Sequence, residues 1–208
     1  MKFLDKKSAR STPITPVTEA AFKVWLKKQS KAVKAWVEGS DFTGAAGAML
    51  SLPGTNGGIA RVLWGVAAEA NLYAYAALPA KLPKNAAGYY IDKKMTAAEA
   101  FSAALGWAFG SYHFGTYKAG KKKEFATLVL PAAADKKLLQ ATIEAVFLVR
   151  DLVNTPANDL GPEELANAAQ NLVRRIRKTT FKTITGKDLL KQNYPAIYDV
   201  GKGSPRAP

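Results

Sequence analysis

Residues 149–165 read VRDLVNTPANDLGPEEL, and this stretch divides the chain into two parts. A helical pattern precedes it and ends before Pro156, because the residue before a proline is disfavoured in the helical conformation. Pro162 is suited to the first position of a new helix, and Glu163 and Glu164 follow at the positive end of its dipole. The stretch therefore predicts a long helix, a turn and a second helix, with a boundary between two folding units.

The hydrophobic pattern upstream of this stretch predicts alternating helices and strands. Helices are expected at 17–29, 69–80, 97–109 and 136–153, and strands at 31–38, 46–52, 59–66, 88–92 and 125–130. Thr96 and Glu99 have the spacing of a capping box at the start of the third helix. Upstream of the boundary, the chain is thus expected to form a sheet layered by helices.

The glycine-rich segment 53–58, Pro-Gly-Thr-Asn-Gly-Gly, joins two of the predicted strands. Asn-Gly within a glycine cluster provides the positive φ angles of a tight turn, which indicates a hairpin. A phosphate-binding loop would need Gly-Lys-Ser/Thr followed by a helix, and here a strand follows. We therefore expect one hairpin, which makes the sheet mixed.

The residues after the boundary predict a shorter second unit. A helix is expected from 162 to about 177, a strand at 181–185, a short helix at 186–192 and a last segment at 194–200. The predicted fold class is α/β: a mixed sheet sandwiched by helices, then a linker helix and an incomplete second α/β unit. The predicted division is a flexible basic terminus at 1–16, a first domain at 17–134, the linker at 135–156 and the start of a second domain at 157–208.

The composition restricts the classes of function. The chain has 208 residues, no cysteine and a formal net charge of +14. The lack of cysteine excludes disulfides, thiolate metal sites and a cysteine nucleophile, and it fits a reducing compartment. No apolar run reaches the ~20 residues that span a bilayer, and residues 1–16 lack a secretory apolar segment. A cytoplasmic protein without membrane partners is expected.

No set of titratable residues in the sequence indicates a catalytic or metal site. His113 is the single histidine and has no nearby acid, so a packed or surface role is favoured. The acids Asp151, Asp159, Glu163 and Glu164 lie near the boundary, where helix capping explains the glutamates. Asp159 is expected to organise the turn. We assign no catalytic, cofactor-binding or metal-binding residue.

Two segments of the sequence resemble the leucyl aminopeptidase (cytosol aminopeptidase) family. The run Arg-Asp-Leu-Val-Asn-Thr-Pro-Ala-Asn at 150–158 is similar to the interdomain segment of that family. Downstream, GKDLL at 186–190, NYPAI at 193–197, VGKGS at 200–204 and RAP at 206–208 follow with the family's order and spacing. The resemblance covers about the last third of the chain, and the upstream part fits more loosely.

The resemblance implies a parent enzyme that removes N-terminal residues from peptides with two divalent metals, zinc or manganese. The family's metal ligands lie on a Gly-Lys-Gly-x-x-Phe-Asp-Ser/Thr-Gly-Gly strand and loop and on an Asn-Thr-Asp-Ala-Glu-Gly-Arg loop, and neither motif occurs here. Gly201-Lys202-Gly203 continues as Ser204-Pro205, so Lys202 is not assigned as a ligand. This chain alone is therefore expected to hold no metal and to be inactive.

The resemblance also implies a role for the first domain. In this family the amino-terminal domain is similar to a macro domain and lies on the outside of a hexamer. The expected role is self-association or control of substrate access, and peptides would be cleaved only by the missing catalytic residues. The alternative is a basic macro-like module that binds nucleic acid weakly, or a nucleotide, through clusters at 27–34, 121–123 and 174–178.

Overall fold

The computed structural model describes residues 3–55, 57–69, 71–118 and 123–205. It divides into two units, Met1–Val146 and Phe147–Pro208. The first unit contains a four-stranded sheet in the order β2-β3-β1-β4. Its strands are β1 (Thr12–Val17), β2 (Met49–Pro53), β3 (Ile59–Gly65) and β4 (Tyr89–Ile91).

The sheet is mixed, as the sequence predicts. Strand β1 pairs in parallel with both β3 and β4, whereas β2 and β3 form the expected antiparallel hairpin. In the hairpin turn Gly54 N–H donates to Gly58 O at 2.7 Å, and Gly57 has a φ of +77°. The turn residue Asn56 lies outside the described residues. The fold is thus α/β, with one antiparallel pair at the edge of a parallel sheet.

Strand β1 occupies the centre of the sheet, although sequence reasoning placed residues 12–16 in a flexible terminus. Pro13 and Pro16 suggest a loop, since proline provides no N–H for a β ladder. The neighbouring strands supply the donors instead: Asp92 N–H donates to Ile14 O at 2.7 Å, and Val66 N–H donates to Val17 O at 2.8 Å. Ile14 is fully buried. The apolar residues of β1 therefore determine its position despite the prolines.

Two helices cover one part of the sheet. Helix α1 (Glu19–Lys27) begins at the expected cap Thr18, whose hydroxyl accepts from Ala21 N–H. Residues 31–38, predicted as a strand, form helix α2 (Lys31–Glu38) instead. Ser30 caps this helix, and its apolar residues also fit a helical spacing that the alternating pattern concealed. The resulting core cluster contains Val17, Phe22, Val37, Phe42, Leu52 and Leu63.

The helix predicted at 69–80 is reduced to the short helix α3 (Leu78–Lys81). The residues before it form turns, in which Ala74 N–H donates to Asn71 O and Ala76 N–H donates to Tyr73 O. The Asn71 side chain accepts from Tyr73 N–H at 2.8 Å. Such local side-chain bonds compete with helical hydrogen bonds, which explains the failed prediction.

Helix α4 (Ala97–Gly110) follows the prediction closely. Thr96 Oγ accepts from Glu99 N–H, and Glu99 Oε2 accepts from Thr96 N–H, so both halves of the capping box are formed. Trp107 is fully buried, and its Nε1 donates to Ala126 O at 3.2 Å. The strand predicted at 125–130 contributes only isolated parallel bridges, Leu128 to Tyr89 and Val129 to Leu4.

The helical pattern around the boundary is confirmed. Helix α5 (Lys136–Asn154) precedes the turn, and α6 (Pro162–Val173) follows it, ending before the expected residue 177. Helices α7 (Lys187–Lys191) and α8 (Pro195–Gly201) complete the second unit. The predicted strand at 181–185 is not formed, since no other described segment of this unit is a strand with which it could pair. Within the described ranges, no helix combines the length and apolarity needed to cross a membrane.

Candidate functional site at the carboxyl edge of the sheet

A cleft of about 160 Å³ lies at one edge of the sheet in the first unit. Because β1, β3 and β4 are parallel, their carboxyl ends share this edge. Ligands of open α/β sheets bind outside the carboxyl ends of the strands. The cleft is lined by the segments that follow β3 and β4, and its polar residues are Glu69, Asn71, Tyr75, Lys93 and Glu99.

The segment that carries Tyr75 is fixed from two sides. Trp64, on β3, is buried, and its Nε1 donates to Ala74 O at 2.7 Å. Helix α4 approaches the same segment so closely that a Cβ on Gly106 would lie 2.0 Å from Leu72 O. Only a residue without a side chain fits at that contact. The strand and the helix together therefore position Tyr75 at the cleft.

Tyr75 is 8% exposed and lines the cleft. Burial, and secondarily the Glu99 carboxylate, raises the pKa of Tyr75 to about 12. The effect of Glu99 shows that the hydroxyl and the carboxylate are electrostatic neighbours. No described group hydrogen-bonds to this hydroxyl, and since no buried side-chain oxygen of the described residues lacks a partner, the hydroxyl itself opens to the cleft. A hydroxyl that opens to a cleft without a protein partner can bind a ligand or water.

Lys93 and Glu99 form the charged side of the cleft. Lys93 Nζ donates to Glu99 Oε1 at 2.9 Å, and Thr96 donates to Glu99 Oε2 from both its backbone N–H and its hydroxyl. The Lys93 hydrogen bond, followed by those from Thr96, lowers the pKa of Glu99 to about 2. Glu99 is thus a carboxylate at neutral pH, and the cleft presents charges of both signs.

Sequence reasoning identified part of this site only. It predicted the capping box, and with it the position of Glu99, but it placed Tyr75 in the middle of a helix. The sequence signal for the cleft is the position of residues 66–69 and 92–95 directly after two parallel strands. That signal can be used only when the parallel pairing to β1 is known.

The residues of the described ranges do not fit the two-metal centre that the resemblance implies for the parent enzyme. No group of three or more His, Asp or Glu side chains is placed to hold a metal ion there. Lys202 donates to Asp199 Oδ1 at 2.7 Å, and this hydrogen bond raises the pKa of Lys202. A lysine must be neutral to bind a metal, so the pairing opposes that role.

The other residues singled out in the sequence have structural positions. His113 is exposed after α4. Glu164 Oε2 accepts from Gly161 N–H at 2.8 Å, which confirms its capping role, and Pro156 O accepts from the N–H of Asp159. The lysines at 27, 28 and 31 are exposed, whereas Lys121, Lys122 and the motif at 206–208 lie outside the described residues.

The fold and the sequence motifs together define an α/β domain followed by the start of a second domain of the aminopeptidase type. The family model of the M17 aminopeptidase N-terminal domain matches residues 12–131, and that of the cytosol aminopeptidase catalytic domain matches residues 147–208. The chain belongs to this M17, or cytosol, aminopeptidase family.

Relatives support this assignment and are longer than the chain. Peptidase B of Pectobacterium atrosepticum is 40% identical over 123 residues, which are 58% of this chain and 27% of that protein. Peptidase B of Yersinia pestis is 36% identical over 123 residues, 58% of this chain and 28% of its own length. The matched region thus spans only about a quarter of these relatives.

Solved structures give the same result. The cytosol aminopeptidase from Coxiella burnetii superposes with a TM-score of 0.89 at 32% identity, over 99% of this chain and 44% of that one. The bottromycin maturation enzyme BotP in complex with Mn superposes with a TM-score of 0.69 at 20% identity, over 96% of this chain and 44% of that one. The second likeness supports the fold alone.

Proposed function

We propose that the chain is the amino-terminal portion of a metal-dependent, leucyl-type aminopeptidase whose catalytic residues lie outside it. The observation that carries this proposal is the consecutive match of two family models, first the N-terminal and then the catalytic domain.

Apolar side chains exposed on the second unit support the proposal that a further segment packs against it in the parent enzyme. Helix α6 buries none of its residues, although Leu165 and Leu172 lie seven positions apart on one face. Val200, on α8, is 82% exposed. Amphipathic helices normally bury their apolar face. We propose that the remainder of the catalytic domain covers these side chains in the parent enzyme.

The experiment is a hydrolysis assay of the 208-residue chain with leucine p-nitroanilide and added Mn²⁺ or Zn²⁺. The chain is expected to give the rate of a metal-free blank, because no described group of its residues can polarise the scissile carbonyl through a metal. The Coxiella enzyme serves as the positive control. Metal-stimulated hydrolysis that Lys202→Met abolishes would place a ligand in this chain and refute the proposal.

We propose that the first unit, as a macro-like domain, serves assembly into a hexamer or control of substrate access in a cytoplasmic enzyme. The family resemblance supports this role. Light scattering over a range of concentrations tests the assembly: self-association of the chain is expected, and a monomer at every concentration contradicts it. Deletion of residues 1–131 from the parent would then change its oligomeric state.

Weak nucleic-acid binding remains the second candidate. The observation in its favour is the group Lys27, Lys28 and Lys31, since none of these lysines forms an ion pair within the described ranges. Binding through such charges weakens steeply with salt. A fluorescence-polarisation titration with duplex DNA over a salt series tests this candidate. The comparison is a variant in which Lys27, Lys28 and Lys31 are all replaced by methionine. Affinity independent of salt would remove this candidate.

A further inference from the structure

We propose that the cleft at the carboxyl edge of the sheet binds a small zwitterion, a molecule of the class of free α-amino acids. The argument rests on the residual hydrogen-bonding capacity, the charges and the apolar wall of the cleft. It is independent of the function proposed above, because it concerns the first unit alone and its test measures binding and not hydrolysis.

The charges of the cleft disfavour ligands that carry only a positive or only a negative charge. Lys93 contributes one positive charge, and Glu69 and Glu99 contribute two carboxylates. A simple anion would meet both carboxylates, and a simple cation would meet the ammonium group. A ligand with an ammonium and a carboxylate group can place each next to an opposite charge, which favours binding in a partly desolvated cleft.

Both the ammonium group and the carboxylates of the cleft can form further hydrogen bonds. An ammonium group has three donors, and Lys93 uses one of them on Glu99 Oε1. Each carboxylate oxygen accepts about two hydrogen bonds. Glu99 Oε1 therefore retains an acceptor site, and Glu69 forms no ion pair within the described ranges. The ligand carboxylate would bind Lys93, and its ammonium group would bind the two glutamates.

Tyr75 is the observation that points most directly to a ligand. The residue is 8% exposed, its hydroxyl opens to the cleft without a hydrogen-bond partner among the described residues, and the hydroxyl stays protonated at neutral pH. A hydroxyl both donates and accepts, so it suits either charged group of a zwitterion. Asn71 also lines the cleft; its amide oxygen accepts from Tyr73 N–H, and its NH₂ group adds two donors.

The remaining lining is apolar, and all of it except Met95 is small; it consists of Val66, Ala67, Ala68, Ala74 and Met95. These side chains provide a surface for an aliphatic substituent. A cleft of about 160 Å³ holds on the order of ten water-sized groups, which is the size of a free amino acid. A dinucleotide or a folded peptide segment would exceed this volume.

The first experiment titrates the ¹⁵N-labelled 208-residue chain with three probes and follows amide resonances by NMR. The probes are L-leucine, L-leucinamide, which lacks the carboxylate, and 4-methylpentanoate, which lacks the ammonium group. We expect saturable shifts at residues 66–75 and 93–99, with L-leucine bound at least about tenfold more tightly than either analogue. No saturation by L-leucine up to about 50 mM would overturn the proposal. Equal affinity for either analogue would also overturn it.

Two variants connect the binding to named groups. Tyr75→Phe removes a hydroxyl that no described group binds, so the fold should persist while the affinity for L-leucine falls about fivefold. Lys93→Met should weaken L-leucine about tenfold, because the ligand carboxylate loses its partner, and should strengthen L-leucinamide, because the repulsive ammonium group is gone and Glu99 is freed. Lys23→Met, on the exposed side of α1, is the matched control and should bind as the parent chain does. Unchanged affinity in both cleft variants would refute the assignment.

Discussion

The contact between α4 and the segment before α3 gives a sharp test of how the cleft is built. We consider Gly106→Ala, a substitution in the interior of α4. A Cβ at this position would lie 2.0 Å from Leu72 O, whereas real Cβ atoms essentially never approach closer than 3.0 Å. The helix and the segment must therefore separate by at least about 1 Å.

Neither partner can move freely. Trp107, the next residue of α4, is fully buried and hydrogen-bonded to Ala126 O. On the other side, Ala74 O is held by the indole of Trp64. Overpacking against such an obstacle costs up to about 3 kcal/mol, and alanine regains about 1 kcal/mol of helix propensity over glycine. We expect a net loss of about 2 kcal/mol in the free energy of unfolding.

The assay is chemical denaturation followed by circular dichroism, together with a thermal melt. A loss of about 2 kcal/mol corresponds to a decrease in Tm of roughly 4–8 °C for a chain of this size. Gly39→Ala is the control, since its Cβ would lie 3.5 Å from Ala35 O, an ordinary contact distance, and it should change stability by less than about 0.5 kcal/mol. A Gly106→Ala chain as stable as the parent would refute the argument that this glycine is required by close approach.

Three further predictions follow from single side chains. Between pH 10 and pH 12 the parent chain should lose about 2–3 kcal/mol of stability, because Tyr75 ionises near 10 when unfolded and at about 12 when folded. In alkaline denaturation the Tyr75→Phe variant should lack this loss, and equal losses in both chains would contradict the prediction. Glu99→Gln should lose less stability than the parent chain as pH falls from about 4.5 to about 2, because the Glu99 carboxylate stabilises the fold only while it is ionised. Tm measured over this acid range tests the prediction, and equal slopes of Tm against pH in the two chains would contradict it. Leu63→Ala, in the centre of the core cluster, should cost about 2–5 kcal/mol by urea denaturation, and a cost below about 1 kcal/mol would contradict its burial.

The sequence predicted those elements whose ends carry their own chemical signals. Thr96 and Glu99 specified the start of α4, and Pro162 with Glu164 specified the start of α6. The turn around Gly57 specified the β2–β3 hairpin. In each case, a side chain or a glycine satisfies a local backbone requirement, and no distant contact is needed to recognise it.

The sequence failed where a local pattern fits two structures or where tertiary contacts outweigh local preference. Residues 31–38 have an alternating pattern that also fits a helix, and the Ser30 cap decides between the two. Pro13 and Pro16 concealed the central strand, because the donors of its ladder come from residues remote in sequence. The segment before α3 has good helix formers, yet it forms turns against α4. The central strand in particular depends on pairings that a local pattern does not contain.

The cleft shows the same dependence at the level of the site. Tyr75 reaches it only because β3 holds the preceding residue through Trp64 and because α4 presents a glycine where a side chain would collide. Lys93 and Glu99 reach the cleft from the other side of β1: Lys93 follows the end of β4, and Glu99 lies in the first turn of α4. The groups that give the cleft its charges and its unpaired hydroxyl thus come from segments joined by a parallel sheet. A change in the packing of α4 should therefore alter ligand binding without touching any lining residue.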